Sequence, residues 1–336
     1  MKILKINSQK ANVAYVTMAL FLILFPFIND SRSLMIIFTQ MFIFAVLAMS
    51  YDILLGYTGI VSFGHAMFFG IGAYTTGIFM KQYDSTTLYL IVSIVVGAIL
   101  AGIVSYVVGL LSLRLKSHFY AMLTLAFSGL FLVLAEKWRT LTYGNDGFTF
   151  PIPDYLKDRM TLYFITLVIM ILVFLILKRF TESPLGRVLQ AIRENEPRTE
   201  SLGYNVLHYK IIASIVAGVF ASLAGSMYVL TLRFVNTSVF TMDITLDALL
   251  MTIIGGVGTL IGAIIGAGLI EFAHYWLTGL AKVHWIFERW IIFFGILYIV
   301  VVMFFPFGIV GSVKLWWVKR QSKKNQETDS NHDIAS

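Results

Sequence analysis

The chain has 336 residues, 58% of them hydrophobic and 13% charged, where soluble domains carry roughly 25% charge. Long, continuous apolar runs exclude an ordinary soluble domain and, because they do not alternate, a β-barrel. The formal charge of +7 is placed in a way that speaks to membrane orientation and not to nucleic acid, and the absence of cysteine removes disulfides, thiol catalysis and Cys-based metal sites.

Met1 to Lys10 carries three lysines ahead of the first apolar run, with no small-residue cleavage site after it, so the first span reads as a retained helix. Apolar spans fall near 12–28, 34–55, 64–80, 88–112, 119–135, 161–178 and 210–231, each close to the ~20 residues that a bilayer needs. Residues 246–277 are too long for one comfortable helix and are interrupted by GGVGTLIG, and a final span covers 289–308. Basic residues resolve the count. With the N-terminus inside, the cytoplasmic segments 2–10, 114–118, 178–210 and 314–324 hold 16 of the 25 Lys and Arg. For the tail to be inside as well, 246–277 must enter the membrane and return, which predicts ten segments with both termini cytoplasmic and loops near 136–160 and 233–245 outside. The expected organisation is an all-α, polytopic membrane domain over 1–312, followed by a polar cytoplasmic tail, 313–336, of disordered composition.

Two segments are interrupted by glycine in the same way. The third is entered through GYTGIVSFG, residues 56–64, and the eighth, about twelve apolar residues from Ala248, breaks at Gly255-Gly256-Val257-Gly258. These are corresponding positions if the ten segments form two inverted repeats of five, and matched breaks point to a transport pathway. Candidate pathway residues are therefore Ser62, Gly64, His65, Gly255, Gly256, Gly258 and Thr259. Close helix packing through small residues, including Gly262 and Gly266, accounts for the same glycines, and both readings can hold together.

Between Lys178 and Lys210 the chain turns polar. Ser183 can cap a helix whose first position is Pro184, and Leu185, Val188, Leu189 and Ile192 form one apolar stripe, with Arg187, Arg193 and Glu194 off it. Glu196 precedes Pro197, which ends this helix; a second turn, Arg198 to Leu202, is closed by Gly203 in a left-handed conformation. Two short helices at an angle are expected. Periodicity alone allows an amphipathic surface loop or a docking element.

Ionisable residues inside the apolar runs are Asp52, His65, Glu271 and His274, each costly in hydrocarbon, about 2.5 to 3.5 kcal/mol near the bilayer centre for a charged group. Glu271 and His274 share a helix face, and Asp52 fits either the cytoplasmic interface or the pathway. None has trustworthy metal-ligand spacing, and no phosphate loop, nucleophile elbow or zinc-protease motif is present. No cofactor is expected, and any ATPase driving this chain is another protein.

Several blocks in order resemble the membrane permease subunits of ATP-binding-cassette importers for branched-chain amino acids, with the related urea and short-chain amide permeases. They are DILLGYTGIVSFGHAMFFGIGAYTTG (52–77), RLKSHFYAMLTLAF (114–127), LTYGNDGF (141–148), SPLGRVLQAIRENEPRTESLGYNVLHYK (183–210), IIGGVGTLIGAIIGA (253–267) and FPFGIVG (305–311). The resemblance implies that 178–210 is the coupling loop, with Ile192, Glu194, Glu196, Pro197, Arg198, Glu200, Leu202 and Gly203 meeting an ATPase. It also implies a heterodimer with a second permease subunit, two cytoplasmic ATPases and an extracytoplasmic solute-binding protein, in the cell membrane. This chain looks like the longer permease type, and its short tail carries no regulatory domain. An ion-coupled secondary transporter using Asp52 and Glu271, or a membrane-embedded enzyme, are the readings from other classes. The docking loop argues against the first, and the lack of clustered acid, base or nucleophile against the second.

Overall fold

The computed structural model describes residues 22–26, 31–114, 117–281 and 308–312, with isolated residues at 292, 295, 296, 299 and 303. Its long helices are α1 (Arg32–Asp52, continued by a π-helical turn, Ile53–Thr58), α2 (His65–Gln82), α3 (Thr87–Ser112), α4 (Ser117–Lys137) and α5 (Arg159–Glu182). After them come α6 (Pro184–Glu194), α7 (Glu196–Ser201), α8 (Val206–Leu232), α9 (Met242–Gly255) and α10 (Leu260–Ala281). Six helices among the described residues are long and apolar enough to cross a membrane: α1 with its π turn, α3, α4, α5, α8 and α10. The outermost expected spans, 12–28 and 289–308, fall largely outside the described residues, as does the tail from 313.

The two glycine-interrupted segments are the short ones, 18 residues in α2 and 14 in α9. Helix α9 begins at Met242, six residues before the expected start at Ala248. Asp243 lies in its first turn, where a carboxylate is favoured by the helix dipole, so the polar residues that read as loop are instead a helix start.

Helix α2 is the centre of the bundle. Every residue from His65 to Gly77 is buried, against α8, α3, α4 and α9. Lipid tails are as apolar as Leu, so helices gain little from burying large apolar side chains and associate through close packing of small residues. Here Gly72 packs onto the Ser222 carbonyl and Gly225 onto the Phe69 carbonyl, where any added Cβ would collide. Ser226 Oγ donates to the Gly72 carbonyl at 3.1 Å, and Ser105 and Ser214 share a hydrogen bond of 2.9 Å between α3 and α8. Helix α1 packs against α10, α5, α8 and α9, and closes the other side.

The connections gather at two ends. At one, a two-residue antiparallel pair joins β1 (Phe148–Thr149) to β2 (Phe234–Val235), and Thr237 Oγ1 donates to Asn145 Oδ1 at 2.7 Å. Lys81, in the last turn of α2, sits over the Tyr143 ring at 3.5 Å. Asp158 caps α5, where the Thr161 hydroxyl and N–H hold its carboxyl below the ordinary carboxylate range. At the opposite end lie α6, α7, the π turn and the break between α9 and α10. The loops expected outside, 136–160 and 233–245, thus share one end, away from 178–210.

This placement is checked by single cysteines in the cysteine-free chain. Thr142 is buried and donates to the Ala135 carbonyl, so the exposed Asp146 is the better reporter. Asp146→Cys should react with a membrane-impermeant maleimide from the face opposite to that reaching Leu202→Cys. Labelling of both from the same face would contradict the arrangement.

Candidate functional site

Helix α2 starts inside the bundle, which leaves its first N–H groups without intrahelical partners and without water. Side-chain hydroxyls take that place. The Phe63 N–H donates to Thr124 Oγ1 at 3.1 Å, the Gly64 N–H to Ser62 Oγ at 3.3 Å, and the Ala66 N–H to Thr245 Oγ1 at 2.9 Å. Tyr51 Oη donates to the Ser62 carbonyl at 3.0 Å. Helices α1, α4 and α9 therefore jointly fix the start of α2. His65 follows directly, with 0% exposure, Nε2 2.8 Å from Ser50 Oγ and its ring edge-on to Tyr51 and Phe68.

The second break is built from backbone contact. Helix α9 ends at Gly255, and Gly255 packs on the Gly262 carbonyl while Gly266 packs on that of Met251. Gly256 lies against Gly308, so the IIGGVG and FGIVG blocks meet. Thr259 Oγ1 donates to the Gly256 carbonyl at 2.6 Å. Of the sequence-selected residues, Ser62, Gly64, His65, Gly255 and Gly256 are buried, and Gly258 and Thr259 are partly exposed. They fall in two close-packed contacts, one around His65 and one around Gly256, and α1 reaches both: Ser50 touches the first, and Asp52 the second.

Asp52 is wholly buried within the protein. Its Oδ1 accepts the Gly258 N–H at 2.7 Å, which supplies the acceptor that the broken helix lacks. One turn on, the Gly56 carbonyl accepts a hydrogen bond from Arg193 Nη1 of α6. Glu271 is 9% exposed and has Asp247 and Tyr228 as electrostatic neighbours, and His274 is exposed. They lie on α10, apart from the Asp52 contact.

The polar loop folds as two helices. Ser183 caps α6, accepting the Gly186 N–H at 3.3 Å, with Pro184 at the first position. Leu189 and Ile192 are buried, with Leu185 and Val188 packed partly against the same core. Ile192 therefore anchors the loop to its own chain and presents no side chain outward. Helix α7 starts at Glu196, two residues before the expected Arg198, because Asn195 Oδ1 caps it by accepting the Arg198 N–H at 3.0 Å. Gly203 takes φ +89° at its end with nothing near its absent Cβ. Glu194, Glu196, Pro197, Arg198, Glu200, Leu202 and Gly203 are exposed, Leu202 by 72%. Lys210 Nζ holds Glu196 Oε1 at 2.6 Å, bracing α7 against α8. Sequence reasoning left Arg193 aside as a residue off the apolar stripe. Its partner is 137 positions away, and no local pattern signals it.

Residues 33–304 match the family described as "Branched-chain amino acid transport system / permease component". The chain belongs to this family. It is 24% identical over 292 residues to the "High-affinity branched-chain amino acid transport system permease protein LivM" of Escherichia coli (strain K12), covering 79% of this chain and 68% of that protein. It is 26% identical over 273 residues to the LivM protein of Salmonella typhimurium, covering 71% of this chain and 62% of the relative. The chain thus spans about two thirds of the length of these relatives. No solved structure matches it. Membership in this family, with six apolar helices, makes the chain a multi-pass membrane permease.

The hydroxyl caps give a direct test. Thr245→Val leaves the Ala66 N–H buried without an acceptor and should cost about 1 to 3 kcal/mol. Thermal unfolding of the purified protein in detergent should show a lowered midpoint for Thr245→Val and near wild-type behaviour for Thr245→Ser. Equal midpoints for all three would mean that the hydroxyl does not hold α2.

Proposed function

We propose that this chain is the permease subunit of an ATP-binding-cassette importer that admits branched-chain amino acids across the cell membrane. In this reading it pairs with a second permease subunit and is driven by two cytoplasmic ATPases. An extracytoplasmic binding protein delivers the solute. Both termini are cytoplasmic. ATP hydrolysis belongs to the partner chains, and this chain catalyses no reaction of its own.

The observation that carries the proposal is the loop 178–210 in a chain of this family. A pair of capped helices stands at one end of the bundle, with its apolar side buried against its own chain and its polar side free. Such an arrangement suits a partner that pushes on the loop, since α6 is held rigidly below while α7 offers an exposed Leu202 amid Glu196, Arg198 and Glu200. Leucine, isoleucine and valine as solutes follow from the names of the relatives. Against ion coupling through Asp52 stands its fixed bond to the Gly258 N–H, which engages one carboxylate oxygen in holding the helix break.

The solute path in this proposal runs beside the two contacts, at Ser62, Gly64 and His65 and at Gly255 to Thr259. These close-packed contacts part when the ATPases move the loop. Their present burial fits a closed state, in which small residues let the helices seal without side chains to displace.

The test is reconstitution with the partner ATPases and binding protein in proteoliposomes. Leu202→Asp removes an exposed apolar anchor without touching the core and should weaken ATPase association by about 2 kcal/mol or more, the scale of a hot spot. Solute uptake and ligand-stimulated ATPase activity should fall together. Gly203→Val should act likewise by straining a left-handed backbone, whereas Glu200→Ala, at the rim, should be mild. Wild-type uptake and stimulation in both Leu202→Asp and Gly203→Val would leave the stretch as a surface loop only.

A further inference from the structure

Arg193 lies in the last turn of α6, next to buried Ile192 and just ahead of the Asn195 cap. From this position its guanidinium reaches out of the loop and into the bundle. Nη1 donates to the Gly56 carbonyl in the π turn. The same nitrogen borders the other break, since a Cβ on Gly258 would stand 2.8 Å from it. Its stem passes Gly59, whose φ of +74° turns the chain at the end of the π helix and whose absent Cβ would be 3.2 Å from Arg193 Cγ. One side chain of the loop therefore touches the entrance to α2 and the break between α9 and α10.

Asp52 faces it. Oδ1 holds the Gly258 N–H at 2.7 Å, whereas Oδ2 is buried and without a hydrogen-bond partner. Arg193 is close enough to act on this carboxylate electrostatically, yet its hydrogen bond goes to a neutral carbonyl. A buried acceptor left open is costly, and a guanidinium is suited to fill it because it carries five donors in a rigid fork. Binding Oδ2 instead of the Gly56 carbonyl would exchange a bond to a neutral acceptor for one to a carboxylate oxygen.

We propose that Arg193 and Asp52 form a two-position latch that carries displacement of the 178–210 loop to both helix breaks. In the position seen here, Arg193 holds the π turn through Gly56 and Asp52 holds α10 through Gly258. When α6 shifts, Arg193 moves onto Asp52 Oδ2 and releases the Gly56 carbonyl, so that the entrance to α2 loosens while the α10 start stays tied to α1. The two arrangements differ by one exchanged hydrogen bond, which is the kind of discrete alternative that a bistable contact requires. Both residues are positioning residues: they act through the helices and need not touch the solute. The proposal rests on the reading of 178–210 as the ATPase-docking loop.

The experiment measures solute taken up per ATP hydrolysed in the reconstituted complex, for Arg193→Gln, Asp52→Asn, the double variant and Arg193→Lys. Asp52→Asn is isosteric and keeps an oxygen for the Gly258 N–H, while it replaces the charged acceptor Oδ2 with an amide donor. Each of the first two should lower the transport ratio by about tenfold, within the usual range of coupling between sites. The double variant should be no worse than the more severe single one, because both break the same latch. Arg193→Lys should recover part of the ratio. A wild-type ratio for Asp52→Asn, or effects that multiply in the double variant, would overturn the latch, and the Asp52→Asn result decides even if Arg193→Gln fails to assemble. If the wild-type complex shows no ligand-stimulated ATPase activity, the reading of the loop fails and the latch with it. Normal coupling in the wild type with unaltered variants removes the latch alone.

Discussion

The hydrogen bond from the Gly258 N–H to the wholly buried carboxylate of Asp52 is the contact on which the arrangement of the broken helices depends. A helix that stops within the bundle leaves backbone groups that neither water nor lipid can satisfy, and each must find an acceptor or donor from elsewhere in the protein. Asp52 provides one such acceptor across 206 positions of sequence. Without it, α10 would start on an orphan donor, and the close seating of Gly255 on Gly262 would lose its support from α1.

The start of α2 solves the same problem by other means. Thr124, Ser62 and Thr245 supply neutral hydroxyls to the N–H groups of Phe63, Gly64 and Ala66, each from a different stretch of chain. With the Tyr51 hydroxyl on the Ser62 carbonyl, they bind α1, α4 and α9 to one point. The contrast is informative. The α2 entrance is held by neutral side chains, whereas the α9–α10 break is held by a carboxylate within electrostatic reach of Arg193 of α6. In the proposed latch, movement of the loop would act electrostatically at one break and reach the other through Gly56 and the π turn.

Much of this was legible in the sequence, because local rules govern it. Ser183, Pro184 and Gly203 marked the ends of the loop helices, and the long apolar runs placed α3, α4, α5 and α8 within a few residues. Gly64 lies at the start of α2 and Gly255 at the end of α9. What could not be read were bonds across long separations, such as Arg193 to Gly56 and Thr245 to Ala66, since periodicity reports which face is apolar and not which polar group meets which. The start of α9 was missed for a related reason: acidic residues at a helix N-terminus look like loop by composition alone. Asp52 was recognised as costly, but its partner is a backbone N–H, which every residue except proline carries and none advertises.

The central claim is that the exposed face of α7 meets an ATPase and passes its motion inward. The most direct measurement is site-specific photo-crosslinking in the assembled membrane complex, with a benzophenone maleimide attached to a single cysteine at Ser201, on the exposed last turn of α7. An equivalent probe at Thr149, at the opposite end of the bundle, serves as reference. The account predicts an adduct with the ATPase subunit from position 201 that changes in yield when ATP is bound, and none with that subunit from position 149. Adducts with the ATPase from position 149, or only lipid adducts from position 201 in a complex that retains its ATPase, would contradict it.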